Sequence, residues 1–244
     1  MNIKNIIFVF CCLLLTACGG QKQSGNVFNI MDFGAVGDGK ADDAPAIQAA
    51  VDACTKAGGG RVLVPAGHTF LCSPFKLASF VELHLEANSR LLANPDETVY
   101  TESAFRENRG EGMMWISGKN LKQVSITGTG TIDGNGVAFM GKELEDSYEL
   151  KPVTDFDPRP HVLTLEAIDR LVIRDVTICN SPYWTVHLIG CKDAVIDGIS
   201  IRNNLKIRNG DGIDVDHSRH VRIANCYIES VSYTHLRAHE TPEH

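Results

Sequence analysis

The sequence has few aromatic residues, no excess of basic residues, and no long apolar run beyond its first 17 residues. Its 244 residues include 23 Lys+Arg against 30 Asp+Glu, which gives a formal net charge of -7. A chain without a basic excess has no field to attract phosphate, so we do not expect a nucleic acid as its partner. After the first segment, no stretch reaches the roughly 20 apolar residues that a membrane-spanning helix needs.

The eight cysteines include no Cys-x-x-Cys pair, which leaves a zinc ribbon or a redox motif without support. Cys11 and Cys12 lie in the apolar first segment, and Cys18 follows it directly. An odd number remains, so an exported protein would keep at least one free thiol. The remaining cysteines are Cys54, Cys72, Cys179, Cys191 and Cys226. We expect no cofactor and no metal.

Residues 1–17 are predicted to be a lipoprotein signal peptide. Ile6 to Leu15 form an apolar stretch that is too short for a membrane span. The Leu-Thr-Ala-Cys sequence that ends at Cys18 resembles a bacterial lipobox, which implies cleavage before Cys18 and lipidation of its thiol. The alternative is an ordinary secretory signal cleaved after Ala17. Residues 18–25 then form a flexible tether. We therefore expect an exported bacterial lipoprotein, anchored to a membrane in the periplasm or at the cell surface.

Residues 231–244 differ in character from the chain before them. They resemble a recurrent artefactual peptide that arises from translated sequencing-adapter DNA, and we interpret them as a foreign tail. His235 and His239 lie four residues apart and could alternatively share a helix face and bind a metal.

The middle of the chain contains three copies of a repeat that align without gaps: Leu163–Ile178, Val186–Ile201 and Ile213–Ile228. Apolar positions alternate within each copy, which is typical of strands, and a fainter copy begins at Ile116. One copy cannot bury its apolar side, but stacked copies can, so the pattern predicts an all-β parallel β-helix over residues 26–230. A leucine-rich repeat is the alternative, but its leucine-asparagine pattern is missing. Cys191 and Cys226 fall on apolar columns and are predicted to be buried thiols.

Two segments outside the repeats have patterns of their own. The apolar spacing of Asp43–Lys56 predicts a helix that ends at the glycines from Gly58 onward. This helix would cap the N-terminal end of the β-helix. Residues 133–160 break the repeat, and we expect a long loop over one face.

Four motifs together resemble glycoside hydrolase family 28. They begin at Phe33 (FGAVGDGKADD), Gly128 (GTGTIDG), Asn180 (NSPYWTVH) and Asn209 (NGDGIDVD). That family contains polygalacturonases and other pectin hydrolases on a right-handed parallel β-helix. The resemblance extends over about residues 26–230. It implies that galacturonan-type pectic polysaccharide is the substrate and that the protein acts in carbohydrate metabolism.

The sequence departs from the family pattern at two places. Gly210 stands where the family usually has threonine. The family's Gly-Asp-Asp, expected soon after Ser230, and its later Gly-His-Gly and Arg-Ile-Lys are missing. We therefore expect that the β-helix is incomplete at its C-terminal end and that this chain alone is inactive.

The resemblance implies an inverting polygalacturonase-like mechanism, in which a proton donor and a water-activating base lie about 6.5–9.5 Å apart. It makes Asp211 a catalytic carboxylate on the water-activating side, although Asn-Gly-Asp-Gly also favours a turn. Trp184 and Asp211 each lie two residues before the start of a repeat copy. We therefore expect them on adjacent coils, where Trp184 could offer its face to a sugar ring.

The other candidates near Asp211 have structural alternatives. Asn209 either orients substrate or carboxylate or forms the turn, and Asp214 either supports the site or faces solvent. His187 either binds substrate or, as we prefer, packs between coils, and Trp184 could also simply pack between coils. The run Asp211, Asp214 and Asp216 could bind calcium, but it lacks the spacing of an EF-hand loop.

Pectin is polyanionic, so an acidic chain needs local cations to bind it. Lys206 and Arg208 precede Asp211 and are candidates, with a solvated turn as the alternative. Two other functions remain open on the same scaffold. One is a calcium-dependent pectin lyase, whose unsaturated products absorb ultraviolet light. The other is a non-catalytic carbohydrate-binding β-helix. The Asn-Gly-Asp motif beside Ser-Pro-Tyr-Trp favours hydrolysis.

Overall fold

A computed structural model describes residues 26–105, 112–145, 147–153 and 158–231, and the backbone of His235–Leu236. The predicted signal peptide, the tether and Cys18 lie outside the described residues, as does His239. No helix in the described ranges is both long enough and apolar enough to cross a membrane.

The chain is built almost wholly from short strands. Up to residue 105 the strands are β1 Val27–Asn29, β2 Asp38–Asp42, β3 Gly60–Val64, β4 Thr69–Cys72, β5 Phe75–Lys76, β6 Val81–Leu85 and β7 Arg90–Ala93. From residue 112 they are β8 Met113–Lys119, β9 Lys122–Gly128, β10 Thr131–Asp133, β11 Met140–Glu143, β12 Leu150–Pro152, β13 Pro160–Glu166, β14 Asp169–Arg174 and β15 Thr177–Cys179. The last are β16 Val186–Ile189, β17 Lys192–Asp197, β18 Ser200–Arg202, β19 Ile213–Asp216, β20 Arg219–Ala224, β21 Tyr227–Glu229 and β22 His235–Leu236.

These strands form three long parallel sheets. Sheet A has the order β1-β3-β6-β9-β14-β17-β20, sheet B the order β2-β4-β7-β10-β15-β18-β21, and sheet C the order β22-β19-β16-β13-β8-β5. Each turn of the chain adds one strand to each sheet in succession. The predicted right-handed parallel β-helix is confirmed.

The predicted repeat register matches the strand pairing. In sheet C, Leu163 pairs with Val186 and Val186 pairs with Ile213. In sheet A, Ile173 pairs with Ile196. The fainter copy is also confirmed, because Ile116 pairs with Leu163. These apolar side chains are fully buried, so the columns read from the sequence form the core of the coil stack.

One α-helix, α1 (Ala44–Lys56), covers the N-terminal end of the coils. Its apolar residues recur at helical spacing and are buried against β1 and β3. The backbone then turns through Gly58, Gly59 and Gly60, all with positive φ, where a side chain would be strained. Short 3₁₀ turns occur at Ile30–Phe33, Glu97–Val99 and Gly136–Phe139.

Residues 133–160 are more ordered than the predicted long loop, so that prediction is wrong in part. Strands β11 and β12 pair as an antiparallel hairpin, and the Leu150 N–H donates to the Lys206 carbonyl at 2.8 Å. The hairpin carries little apolar alternation, because its strands pair with each other outside the core, and the sequence pattern therefore did not reveal it.

The last coils are less covered than the earlier ones. Val221, Ile223 and Ile228 are only partly buried, whereas the matching residues one coil earlier are fully buried. Within the described residues, sheets A and B end at β20 and β21. Cys191 is buried as predicted, but Cys226 is only half-buried, since it lies on this last coil. In sheet C, β22 pairs with Asp214 and Val215, so part of the segment interpreted as a foreign tail extends the sheet.

Candidate active site

A column of polar side chains crosses sheet C on the face opposite the apolar core. Its register partners are Ser117, Thr164, His187 and Asp214, one from each of β8, β13, β16 and β19. Because side chains alternate along a strand, these residues point away from the core formed by Leu163, Val186 and Ile213. His187 and Asp214 are nevertheless only 3% and 5% exposed. Polar groups buried on an outer face need a local cover, which aromatic residues provide here.

The cover is a cluster of rings, which we call the aromatic cluster: Phe105, His161, Tyr183, Trp184 and His187. Trp184 lies edge to face with His187 and Phe105, with ring centroids 4.8 Å and 5.7 Å away. His161 stacks on Tyr183 at 5.1 Å. His161 is fully buried, and in the described structure neither of its ring nitrogens has a hydrogen-bond partner. Trp184 keeps part of its surface open to solvent.

The backbone brings Trp184 and Asp211 together as the repeat register predicted. The Val186 N–H donates to the Gly212 carbonyl at 3.1 Å, and the Thr185 N–H donates to the Asp211 carbonyl at 2.9 Å. The parallel ladder thus continues past the ends of β16 and β19. Asp211 is buried, and its charge acts on Asp214 of the polar column.

Burial shifts the ionisation of the column residues. Burial raises the pKa of Asp214 to about 7, and the charges of Asp211 and Asp216 add to the shift. Burial lowers the pKa of His187 to about 4, against the opposing charge of Asp216. Burial, together with His187, also holds the pKa of His161 well below its usual range. Both imidazoles are therefore neutral near pH 7, and Asp214 keeps its proton through the acid range.

The loop that leads into Asp211 contains the predicted cations. The Lys206 amine forms an ion pair with Glu143 of β11, which offsets its charge. Arg208 is exposed, and so is Asn209, whose backbone adopts the left-handed conformation at φ 59. Asn209 therefore forms the turn, which was one of the two roles considered for it from the sequence.

Arg159 lies fully buried beneath this loop. Its guanidinium donates to the Pro182 and Arg208 carbonyls at 2.9 Å and 2.8 Å, and to Asn209 Oδ1 at 3.4 Å. It also lies 5.0 Å above the Tyr183 ring. A buried guanidinium needs such acceptors to offset its desolvation. Arg159 therefore ties the loop before Asp211 to the turn that carries Trp184.

A second buried charge supports the same turn from below. Asp133, the aspartate of the GTGTIDG motif, forms an ion pair with Arg90 and accepts from Asn180 Nδ2 at 3.2 Å. Side chains at Gly134 and Gly136 would collide with the 180–182 backbone, since a Cβ would come within 2.8 Å and 2.7 Å of the Asn180 carbonyl oxygen. The GTGTIDG motif therefore supports the backbone turn of the NSPYWTVH motif.

Sequence reasoning missed several residues at this site. Thr164 could have been found, because it occupies the same repeat position as His187 and Asp214. Asn203 could also have been found, since it follows Ile201 at the distance at which Asn180 follows Ile178. Phe105 and Arg159 gave no comparable signal, because both lie outside the repeats.

In the ranges that the structure describes, no group of three His, Cys, Asp or Glu side chains is arranged to hold a metal ion. The same ranges contain five cysteines, none of them in a disulfide bond.

Comparisons with known proteins agree with this architecture. The model of "Glycosyl hydrolases family 28" matches residues 54–231. A curated protein of Vitis vinifera, "Probable polygalacturonase", is 31% identical over 92% of this chain and 50% of its own length. The chain thus spans about half the length of that relative.

Solved structures share the fold. A family 28 exopolygalacturonase of Yersinia enterocolitica superposes with a TM-score of 0.72 at 23% identity, over 84% of this chain and 43% of that one. A polygalacturonase of Erwinia carotovora gives a TM-score of 0.67 at 22% identity, over 84% of this chain and 56% of the other. With the family model matched across most of the coils, the chain belongs to glycosyl hydrolase family 28.

Proposed function

We propose that the full-length gene product hydrolyses α-galacturonosidic bonds of pectin with inversion, and that Asp211 activates the attacking water. The observation that carries this proposal is that the backbone at Asp211, a buried aspartate, is hydrogen-bonded to the segment that carries the partly open ring of Trp184 in a family 28 β-helix. A sugar ring that stacks on an indole would present its glycosidic bond to the neighbouring carboxylate. The curated relative named a polygalacturonase supports galacturonan as the substrate.

The electrostatics of the column suit an acidic polymer. Galacturonan carries one carboxylate per sugar, so negative charge in the groove would repel it. Asp214 keeps its proton up to about pH 7, and therefore adds no second negative charge beside Asp211 in mildly acid conditions. Arg208, exposed on the adjacent loop, supplies a cation for a substrate carboxylate.

We assign the proton donor to the Gly-Asp-Asp sequence that the family carries and that residues 1–244 do not contain. A gene product that includes this sequence is active. We also propose that the protein is exported and held at a membrane by lipid on Cys18. The lipobox-like sequence before Cys18 supports this localisation.

The test is the product formed from polygalacturonate by the full-length gene product. Hydrolysis releases reducing ends without any product that absorbs ultraviolet light. Absorbing, unsaturated ends that disappear with a calcium chelator would instead identify the lyase alternative. Binding of the polymer with no new ends would identify a non-catalytic carbohydrate-binding β-helix.

A further inference from the structure

Asn203 joins the two loops that form the candidate site. It lies directly after β18 and is 7% exposed. Its Oδ1 accepts from the Ser181 N–H at 3.0 Å, while its Nδ2 donates to Thr185 Oγ1 at 2.7 Å and to the Gly210 carbonyl at 3.0 Å. Ser181 and Thr185 flank Trp184 along one turn, and Gly210 precedes Asp211 in the next coil.

These contacts close a ring of hydrogen bonds around the site. Asn203 holds the Gly210 carbonyl, Asp211 follows in the chain, and the Asp211 carbonyl accepts from the Thr185 N–H at 2.9 Å. The Thr185 hydroxyl in turn accepts a hydrogen bond from Asn203 Nδ2, which completes the ring. Asp211 is thus fixed through its own carbonyl and through the carbonyl of the preceding residue, both tied to the segment that carries Trp184.

The position requires an amide. The side chain must accept on one side and donate two hydrogen bonds on the other, which asparagine does and aspartate cannot do. An aspartate here would keep the bond from Ser181 but would place an oxygen against the Gly210 carbonyl. Asn203→Asp therefore breaks the link to Asp211 while it leaves the size of the side chain unchanged.

We propose that Asn203 is a positioning residue that sets Asp211 in its working position relative to Trp184. The inference rests on the proposed hydrolysis for its catalytic readout. Since Asn203 reaches the substrate only through other residues, its loss should act on the chemical step more than on substrate binding. A displacement of the order of 1 Å at a catalytic group can cost about a hundredfold in rate.

Three variants of the full-length gene product test the proposal: Asn203→Ala, Asn203→Asp and the control Asn94→Ala. Asn94 follows β7 in sheet B as Asn203 follows β18, and its amide donates to Ser73 Oγ at 3.1 Å, far from Asp211. We expect both Asn203 variants to lower kcat on an oligogalacturonide about ten- to a hundredfold with KM changed less than about threefold. Asn94→Ala should keep the wild-type kcat.

Hydrogen exchange supplies a readout that needs no activity. Both Asn203 variants should speed amide exchange at Thr185 and Val186, whose N–H groups donate to the Asp211 and Gly212 carbonyls, and leave exchange at Leu165 of β13 unchanged. Unchanged exchange at Thr185 and Val186 in both variants would overturn the positioning role, whatever the activity. Active wild-type protein with unchanged kcat in both variants would overturn it as well. An inactive wild type with faster exchange in the variants would remove the proposed function and leave the structural link standing.

Discussion

His187 and Asp214 are register partners on β16 and β19, and burial moves their pKa values in opposite directions. The pKa of His187 falls to about 4, and that of Asp214 rises to about 7. Between these values both side chains are uncharged. The outer column of sheet C is thus nearly neutral at mildly acid pH, although it contains two ionisable groups.

The first prediction concerns stability against pH. The folded state holds the Asp214 proton up to about pH 7, whereas an unfolded aspartate releases it near its ordinary pKa of 3.8. The stability that Asp214 contributes is therefore present at low pH and is lost as pH rises towards 7. Asp214→Asn should become more stable relative to wild type across this interval, by at most about 1.4 kcal/mol per pH unit.

His187→Gln is the matched variant, with the opposite sign. His187 stays neutral in the folded state down to about pH 4, whereas an unfolded histidine takes up a proton below 6.5. His187 therefore favours folding increasingly as pH rises between these values, and the variant should lose stability relative to wild type over the same range. Melting temperatures from pH 4 to 7 check both. If the melting temperatures of both variants change with pH in parallel with that of wild type, the pKa shifts assigned to Asp214 and His187 are contradicted.

The second prediction concerns the contacts by which Asp133 supports the turn that carries Trp184. Asp133 is 2% exposed and holds Arg90, the Asn135 N–H and the Asn180 amide. Asp133→Ala leaves these donors without their acceptor, so we expect a loss of about 3 kcal/mol in the free energy of unfolding. Chemical denaturation measures it. Asp193→Ala, which removes an exposed partner of His220, is the control and should have no measurable effect. Equal stabilities of the two variants would refute the supporting role of Asp133.

The third prediction concerns export. If Cys18 carries lipid, the protein should fractionate with membranes, and Cys18→Ala should release it or block its processing. Mass spectrometry of the mature N-terminal peptide provides a direct check. Soluble export of both forms, with no lipid on Cys18, would contradict the anchor.

The fourth prediction concerns the last coil. Val221, Ile223 and Ile228 are partly exposed where sheets A and B end within the described part of the chain, and uncovered strand edges promote association. Residues 18–244, expressed alone, should oligomerise or aggregate, and Ile223→Lys should reduce this association. Light scattering after size-exclusion chromatography measures the mass. A monodisperse monomer would contradict the prediction.

The sequence predicted the coils well because the repeat copies align without gaps, and the pairing of Ile173 with Ile196 follows that alignment. The same register predicted that Trp184 lies next to Asp211. Contacts made outside the repeats could not be read in this way. Glu143 pairs with Lys206 across 63 positions. Phe105 joins the aromatic cluster from a segment with no repeat counterpart.

The sequence also did not predict which charged side chains are buried. Composition rules place arginine and aspartate at the surface, yet Arg159 and Asp133 are buried. Each is offset by acceptors or donors that only the folded turns bring together. No spacing in the sequence reveals such a set, because its members are backbone groups as often as side chains.

The most direct test of the account is the rate and stereochemistry of polygalacturonate hydrolysis by the full-length gene product, its Asp211→Asn variant and an Asp216→Asn control. We expect the first product to carry the β-anomeric end, because inversion at an α bond gives that configuration. Asp211→Asn should lower kcat about 10²–10⁴-fold, as loss of a general base does. Asp216→Asn should keep most of the activity. Retained anomeric configuration, or wild-type kcat in Asp211→Asn, would contradict the assignment of Asp211 as the water-activating carboxylate.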